Sequence, residues 1–446
     1  MSDTIFALAT APGRAAVAII RLSGPRAREA LITLAAGKPA HGRARVRLLR
    51  SADGGPLDTA ITLFFAAPHS YTGEDCAELH LHGGAGVVDG VTEALLGLGL
   101  RLAGPGEFTR RAFENGKLDL DQAEAIADLT DAETSAQARQ ALGQLEGRLG
   151  ARYRTWREAL VDALARLEAA VDFPDEEVPP GVAQQAKAAL QRLTSDLDAA
   201  LADEGRGQRV REGYRVAIVG AANSGKSSLI NALAGRDAAI VTPTPGATRD
   251  IIETLLVLDG FKVLLADMAG IRRTSDPIES EGVRRARVWS EGADLRLWVV
   301  DRAEESGLWR EALDLIREGD ICVLNKSDLP AGADEAAAVR AAKDRDVDVI
   351  SLSLLDEGGS TVEAALSVRV RQELSGAEFP AATRARHEAL LREARDHLGR
   401  ALSQLDEPEL AAEDARLAAR SLERISGRIG AEDILGRVFA TFCIGK

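Results

Sequence analysis

Tyr214-Arg-Val-Ala-Ile-Val219 is an apolar run of strand length. It leads directly into Gly220-Ala-Ala-Asn-Ser-Gly-Lys-Ser227 and then into a helical stretch, 228–233. No other segment of the chain restricts its fold so tightly. The pattern GxxxxGK[ST], set between a strand and a helix, curls backbone N–H groups around one point with the positive helix N-terminus behind them. It predicts an α/β domain with a phosphate-binding turn made by Asn223, Ser224, Gly225, Lys226, Ser227 and Ser228. Lys226 is placed to reach β- and γ-phosphate oxygens, and the Ser227 hydroxyl to ligate Mg²⁺.

The strand and helix alternation continues over 214–375, and three further segments follow in the order a nucleotide site needs. Ile321-Cys-Val-Leu324 reads as a strand that ends in Asn325-Lys-Ser-Asp328. A carboxylate in that position pairs with the N1–H and N2 amino donors of guanine, which adenine lacks, so Asp328 selects GTP over ATP. Leu264-Leu-Ala-Asp267-Met-Ala-Gly270 is a strand ending in DxxG. There Asp267 holds Mg²⁺ through water and the Gly270 N–H senses the γ-phosphate. Thr248, in Gly246-Ala-Thr-Arg-Asp250, offers a second hydroxyl to Mg²⁺.

The residue after DxxG is Ile271, whose apolar side chain cannot orient a nucleophilic water. Glu279, Glu281 and the Arg272-Arg273 pair lie just downstream as substitutes. Asn223 reads either as a solvated loop amide or as a ligand to a monovalent cation that stabilises transition-state charge. The residues alone leave these alternatives open.

The flanks are of a different kind. Residues 1–118 mix strand-like segments (15–21, 60–65 and the alternating 77–82) with helix-like ones (25–34 and 86–98), an α+β domain. From 119 to 213 apolar residues recur at helical spacing, as in Leu160, Ala163, Leu164 and Leu167, with a break at 173–180. A second helical stretch, 376–446, is broken at Gly427 and Gly430. The expected organisation is a multidomain α/β and α protein in which a helical domain is split by an inserted α/β domain. No apolar run reaches the roughly 18–20 residues of a membrane span, and the N-terminus lacks a basic leader. The three cysteines, Cys76, Cys322 and Cys443, are too far apart for a disulfide framework or a CxxC metal pair. A cytoplasmic protein is the expectation.

These features, with both ends of the chain, resemble the MnmE (TrmE) family of tRNA-modification GTPases. The resemblance is carried by Pro12-Gly-Arg14 with Ile20-Arg21-Leu-Ser-Gly24, by Tyr71-Thr-Gly-Glu-Asp75 with Glu78 and His82-Gly-Gly84, and by the long block Pro105 to Glu124. Asp172-Phe-Pro-Asp-Glu-Glu177 and the terminal Phe442-Cys-Ile-Gly-Lys446 add to it. It spans essentially the whole chain in one domain order. It implies a tetrahydrofolate-binding and dimerisation domain at 1–118, a helical domain in two parts at 119–213 and 376–446, and a Ras-like P-loop G domain at 214–375.

The family's folate contacts match Arg21, Glu78, Lys117 and Lys446, for a one-carbon derivative such as 5-formyl-tetrahydrofolate. Its K⁺ ligands match Asn223 and the loop holding Thr242, Thr244 and Ala247, and Thr242 also belongs to the GTP site. Its water-orienting glutamate matches Glu279, and its modification-reaction cysteine matches Cys443. The implied activity is addition of an aminomethyl or carboxymethylaminomethyl group at C5 of the tRNA wobble uridine. The implied assembly is a homodimer working with the FAD-dependent MnmG (GidA) in a heterotetramer or larger, with G-domain pairing activating hydrolysis.

Departures are Met268 for the Thr usual in DTAG, Ala247 for a Thr, Ala221-Ala222 for Arg-Pro, and Ser351-Leu-Ser353 in place of the usual Ser-Ala guanine loop. None removes a phosphate or Mg²⁺ ligand. A GTPase switch of the ribosome-assembly kind, without modification activity, shares the G domain but has no folate-like N-terminal domain.

A formal charge of −14, from 55 Lys+Arg against 69 Asp+Glu, argues at first against a tRNA partner. Its distribution changes that. Residues 119–213 and 214–380 each carry an excess of 8 acidic side chains, whereas 1–118 carry 13 basic and 11 acidic, and 381–446 carry 11 of each. Tight hold on tRNA is therefore expected from the partner rather than from this chain. GTP turnover is expected to be well above that in Na⁺ when K⁺ is present. Asn223→Ala should abolish the difference, and equal wild-type rates in both salts would remove the cation assignment.

Overall fold

The computed structural model describes residues 3–172, 182–203, 205–235, 253–268, 277–356, 358–376 and 378–427, with Phe442 and Gly445. The side chains of 170–184 and 277–283 are outside the description. The chain divides into two compact units: 1–130 with 144–197 and 389–446, and 131–143 with 198–388.

In the first unit six strands form one sheet: β1 (Ile5–Leu8), β2 (Ala15–Ser23), β3 (Arg45–Arg50), β4 (Pro56–Phe65), β5 (Cys76–Gly83) and β6 (Arg101–Leu102), in the order β3-β4-β5-β2-β1-β6. Only the β1–β6 pair is parallel. The period-two alternation decides its faces. Ala60, Thr62 and Phe64 of β4 are buried. On that inner face Phe64, Leu79 and Leu81 pack against Leu31 and Leu34 of the helix Ala27–Ala35, and against Val91 and Leu95 of the helix Ala85–Gly97. Each such side chain contributes roughly 1.5–3 kcal/mol on burial.

The outer face keeps Val17, Val46 and Ile61 exposed, and register places Glu78 between Arg21 on β2 and Leu63 on β4. Arg111, on the helix Glu107–Glu114, ties the start of the chain down by donating to the Asp3 carbonyl (2.8 Å) and carboxylate (2.7 Å). The Arg101 guanidinium beside Asp3, with Arg111, holds the Asp3 carboxyl down at about 2.

The helices of this unit join segments far apart in sequence. Arg148–Asp172 packs on Pro408–Ile425. Leu160, Ala163 and Leu167 are buried on the first, and Ala411, Ala415, Ala418 and Leu422 on the second, each series at i, i+3 or i+4 spacing. Arg157–Glu423 and Arg416–Glu168 close the edges of the pair. The 173–180 break and Gly430 lie outside the described residues. Gly427, in the left-handed region at φ 76°, follows the end of Pro408–Ile425.

The second unit is built on β7 (Tyr214–Val219), β8 (Glu253–Leu258), β9 (Phe261–Asp267), β10 (Leu295–Asp301), β11 (Ile321–Asn325) and β12 (Asp348–Ser351). Their order is β12-β11-β10-β7-β9-β8, parallel throughout except for the β8–β9 hairpin. Helices on both faces explain why β11 is buried along its whole length. Leu229 and Leu233 of Lys226–Ala234, with Val362, Leu366 and Val370 of Ser360–Leu374, cover one face. Trp309 and Ala312 of the short 3-10 helix Leu308–Ala312, with Ala338 and Ala342 of Glu335–Lys343, cover the other over Trp298.

This unit starts earlier than the strand pattern places it. The helix Arg206–Glu212, grouped by its periodicity with the first helical block, packs on the second unit. Val210 enters its core, and Arg209 pairs with Glu373 of Ser360–Leu374 at 2.8 Å. Residues 131–143 also belong to it: Ala136 N–H donates to the Gly260 carbonyl (3.1 Å), and Glu133 pairs with Lys262. Helical periodicity shows that a face is apolar but not which core receives it.

Arg296 and Asp320, at 5% and 2% side-chain exposure, form a buried pair at the starts of β10 and β11. Nε donates to both carboxylate oxygens at 3.0 and 2.9 Å. Asp320 also accepts the N–H groups of Arg296 and Arg317. Asp320→Ala leaves a guanidinium buried without its counter-charge and should destabilise the protein by about 3–5 kcal/mol, measured by denaturant unfolding. Replacing both residues by apolar ones of similar volume should cost much less.

Candidate functional site

Where β7 ends, the chain turns through Gly220 and Gly225, at φ 146° and 105°. A Cβ on Gly220 would stand 2.2 Å from the Val299 carbonyl oxygen, and one on Gly225 would stand 2.1 Å from Asn325 Nδ2. Both glycines are therefore required by close approach as well as by backbone conformation. Asn223 takes φ 63°, a left-handed conformation that Asn tolerates, and is exposed at the turn. Lys226 Nζ donates to the carbonyls of Gly220 (2.9 Å) and Ala221 (2.7 Å), which holds the ammonium under the loop. Ser227 and Ser228 are exposed at the N-terminus of Lys226–Ala234.

The Ser227 hydroxyl donates to Asp267 Oδ2 at 2.9 Å. Asp267 Oδ1 is buried with no hydrogen-bond partner among the described residues. A hydroxyl beside a carboxylate with an unused buried oxygen is the donor set of a hard divalent cation, so these residues fit Mg²⁺.

Asn325 ends β11 and bridges two loops. Its Nδ2 donates to the Ser224 carbonyl (2.9 Å), and its Oδ1 accepts the Leu354 N–H (3.4 Å). One cavity of about 740 Å³ is consequently lined by the P-loop from Gly220 to Ser228, by Asn325, Lys326 and Asp328, and by Leu354 and Leu355. Two parts of the lining escaped the sequence pattern. The segment that shares the cavity wall with Asn325, Lys326 and Asp328 is Leu354-Leu355 rather than Ser351–Ser353: Ser351 ends β12, whereas Leu352 and Ser353 are buried. Glu311, from the 3-10 helix, also faces the cavity, and no motif marks it.

Thr242, Thr244, Ala247, Thr248 and Gly270 lie outside the described residues, as do Cys443 and Lys446. Glu279 falls on the helix Pro277–Glu291 with its side chain outside the description. Met268 is buried in the core beside Ala266 and Trp298.

The first unit holds a second cavity, of about 350 Å³, against the outer face of its sheet. Arg21, Phe65, His69, Tyr71, Cys76 and Glu78 are among its lining. Arg21 Nε donates to Glu78 Oε1 at 3.0 Å, while Glu78 Oε2 meets His80 Nε2 at 3.2 Å. The Arg21 guanidinium stands 5.4 Å from the ring centroid of Tyr71 and 6.0 Å from that of Phe108. Burial pushes the Tyr71 phenol up, and its hydroxyl is bonded to Thr109 at 2.7 Å. A slot with aromatic walls, one carboxylate and one guanidinium fits a flat heteroaromatic ring carrying N–H donors and an anionic tail. Lys117 donates to the Pro68 carbonyl at 3.2 Å, one residue before His69, and does not itself line the slot.

Among the described residues no cluster of His, Cys, Asp and Glu could hold a metal by itself, and no helix is long and apolar enough to cross a membrane. The buried Cys322 thiol is pushed up to about 12 by desolvation, which makes it inert rather than nucleophilic.

Comparison with known proteins gives two family matches. The model of the GTP-binding protein TrmE N-terminus matches residues 4–117, and that of the MnmE helical domain matches 120–443. The chain is 59% identical over 450 residues to the tRNA modification GTPase MnmE of Phenylobacterium zucineum, and 58% identical over 451 residues to that of Caulobacter vibrioides. Both alignments cover 100% of each chain. With that of Rhodospirillum rubrum it shares 49% identity over 458 residues, covering 100% of this chain and 99% of that one. Matched from end to end by such relatives, the chain belongs to the MnmE family of tRNA modification GTPases.

Proposed function

We propose that this chain hydrolyses GTP as one subunit of a cytoplasmic complex that modifies the wobble uridine of tRNA at C5, with a tetrahydrofolate one-carbon derivative as donor. The observation that carries the GTP half is the common wall of one cavity. The P-loop and the Asn325-Lys326-Asp328 segment, far apart in sequence, face the same space, and Asn325 locks them together. Backbone N–H groups of the Asn223–Ser228 turn and the helix behind them bind the phosphates. Lys226 adds its charge there, and Asp328 accepts the guanine N–H donors. Ser227 and Thr248 would hold Mg²⁺ with Asp267 behind them; the ion supplies charge neutralisation between the phosphates. Asn223, with the loop of Thr242, Thr244 and Ala247, would hold K⁺. Ile271 cannot orient a water, and the family resemblance gives that task to Glu279.

The folate half rests on the slot beside Arg21 and Glu78. In this reading Glu78 reads the ring donors, and Arg21, Lys117 and Lys446 meet the anionic parts. A homodimer through the same face is supported by its open apolar row. Val46 on β3 pairs with Ile61 on β4, which pairs with His80 on β5, one row along from Glu78 and Arg21. Val46 and Ile61 are 71% and 44% exposed, apolar area that a second copy would cover. The FAD-dependent MnmG then brings redox chemistry, and much of the hold on tRNA, to the complex. Cys443 stands as the candidate thiol of the modification step.

Two measurements test the proposal. In a strain lacking this chain, nucleoside analysis of tRNA should show wobble uridines without their C5 substituent. Unchanged uridines would leave a GTPase switch without modification activity as the better reading. Calorimetry should detect saturable binding of 5-formyl-tetrahydrofolate that Arg21→Ala weakens by roughly tenfold or more, the scale of a lost charge-assisted hydrogen bond. Absence of wild-type binding would reduce the N-terminal domain to a dimerisation module.

A further inference from the structure

Residues 30–52 hold five cations, Lys38, Arg43, Arg45, Arg47 and Arg50, with His41 among them and no Asp or Glu. The chain as a whole has a formal charge of −14, so this stretch runs against the balance. The structure places its second half on β3, which ends the strand order of the first unit's sheet and pairs on one side only among the described residues.

Two of the cations hold the fold. The Arg47 guanidinium donates to the carbonyls of Gly37 (2.8 Å) and Lys38 (3.1 Å), which closes the turn after the helix Ala27–Ala35. Arg50 Nη1 donates to the Gly54 carbonyl at 2.8 Å. Lys38, Arg43 and Arg45 are exposed, and their side chains have no hydrogen-bond or ion-pair partner among the described residues. Acids of adjoining segments are already engaged. Glu29, on the helix packed against β3, pairs with Arg26 at 3.3 Å, and Asp53, in the turn from β3 to β4, accepts the Gly55 N–H at 3.3 Å.

The run passes beside the cavity of Arg21 and Glu78. The His41 ring centroid lies 6.2 Å from those of Phe65 and His69, which line that cavity, and its Nδ1 accepts the Ala66 N–H at 2.9 Å. Charge on an edge strand also blocks pairing with another strand, but either sign does that. Five cations without one acid are what a polyanion needs, and a guanidinium matches phosphate oxygens in shape as well as in charge.

We propose that the β3 edge is a contact surface for the phosphate backbone of tRNA, met by Lys38, Arg43 and Arg45. Unpaired backbone N–H groups along the edge add further donors for phosphate oxygens. Such contacts position a nucleic acid and carry no sequence information. Three of them are a light hold, in keeping with a partner that supplies the rest. The contact rests on the tRNA substrate of the family, and its value for bringing a uridine towards the donor rests on the folate reading of the cavity.

The test is fluorescence anisotropy of end-labelled tRNA with the full-length chain, repeated over a series of NaCl concentrations without nucleotide. For the wild-type chain log K should fall linearly with log salt concentration. Arg43→Gln with Arg45→Gln should weaken binding and reduce that slope by about 1 for each arginine removed, equally for substrate and non-substrate tRNAs. Arg43→Lys with Arg45→Lys should keep the wild-type slope. A slope that the glutamine pair leaves unaltered would overturn the proposal, and a weakened hold on the partner subunit in that variant would then assign the edge to an acidic protein face. A loss confined to one tRNA, or no salt-dependent binding by the wild-type chain at low salt, would overturn it as well. Unchanged wobble uridines in a strain lacking this chain, with the slope effect intact, would instead remove the modification reading and leave this contact in place.

Discussion

One side-chain amide holds the nucleotide site together. Asn325 Nδ2 reaches the Ser224 carbonyl through the space left by Gly225, where a single Cβ would stand 2.1 Å away. The same amide's oxygen takes the Leu354 N–H, so three loops from three strand ends share one residue. This works because β7, β10, β11 and β12 are neighbouring parallel strands whose C-terminal ends open on the same side. Loops at such ends converge without any of them having to be long. Buried pairs at the opposite end of the sheet, Arg296 with Asp320 above all, hold the register on which that convergence depends.

The first unit solves a different problem with the same means. Its mostly antiparallel sheet covers one face with two helices and leaves a cavity against the other, lined by Arg21, Tyr71 and Glu78. Register across β4, β5 and β2 sets Leu63, Glu78 and Arg21 in one row. Charge pairing between the row's acid and base, with Tyr71 and Phe108 against the guanidinium, keeps a polar pair in place on a largely apolar surface. The helices behind it close around sequence-distant partners. Small alanines at 411, 415 and 418 let Pro408–Ile425 lie against Arg148–Asp172, and Arg157–Glu423 ties together residues on either side of the inserted unit.

Much of this was legible in the residues. The P-loop, the strand ending at Asp267 and the strand ending at Asn325 stand where the pattern places them, since each combines an apolar run with a motif of fixed local chemistry. The strands β2 and β4 were legible from β-branched and aromatic enrichment and β5 from its alternation, and helix-like stretches at 25–34 and 86–98 meet the helices at 27–35 and 85–97. β3 was not: Arg45, Arg47 and Arg50 on an edge strand interrupt any apolar signal, although Leu49 is fully buried. Nor was the start of the second unit, because the helix Arg206–Glu212 has the same polar and apolar rhythm as the helices before it.

The sequence by itself determined the P-loop turn between β7 and its helix, the strand that ends at Asp267 and the strand that ends at Asn325. These depend on covalent neighbours, and local backbone chemistry is complete within a motif. Tertiary structure decided what no spacing carries. Arg21 and Glu78, 57 positions apart, share a 3.0 Å hydrogen bond only through strand register. The segment that lines the cavity with Asn325, Lys326 and Asp328 is Leu354-Leu355, whereas Leu352 and Ser353 are buried. Lys326 reaches Asp301 because two parallel strands end side by side. Each of these is a long-range contact chosen by packing, and the free energy that selects it belongs to the assembled sheet rather than to any stretch of chain.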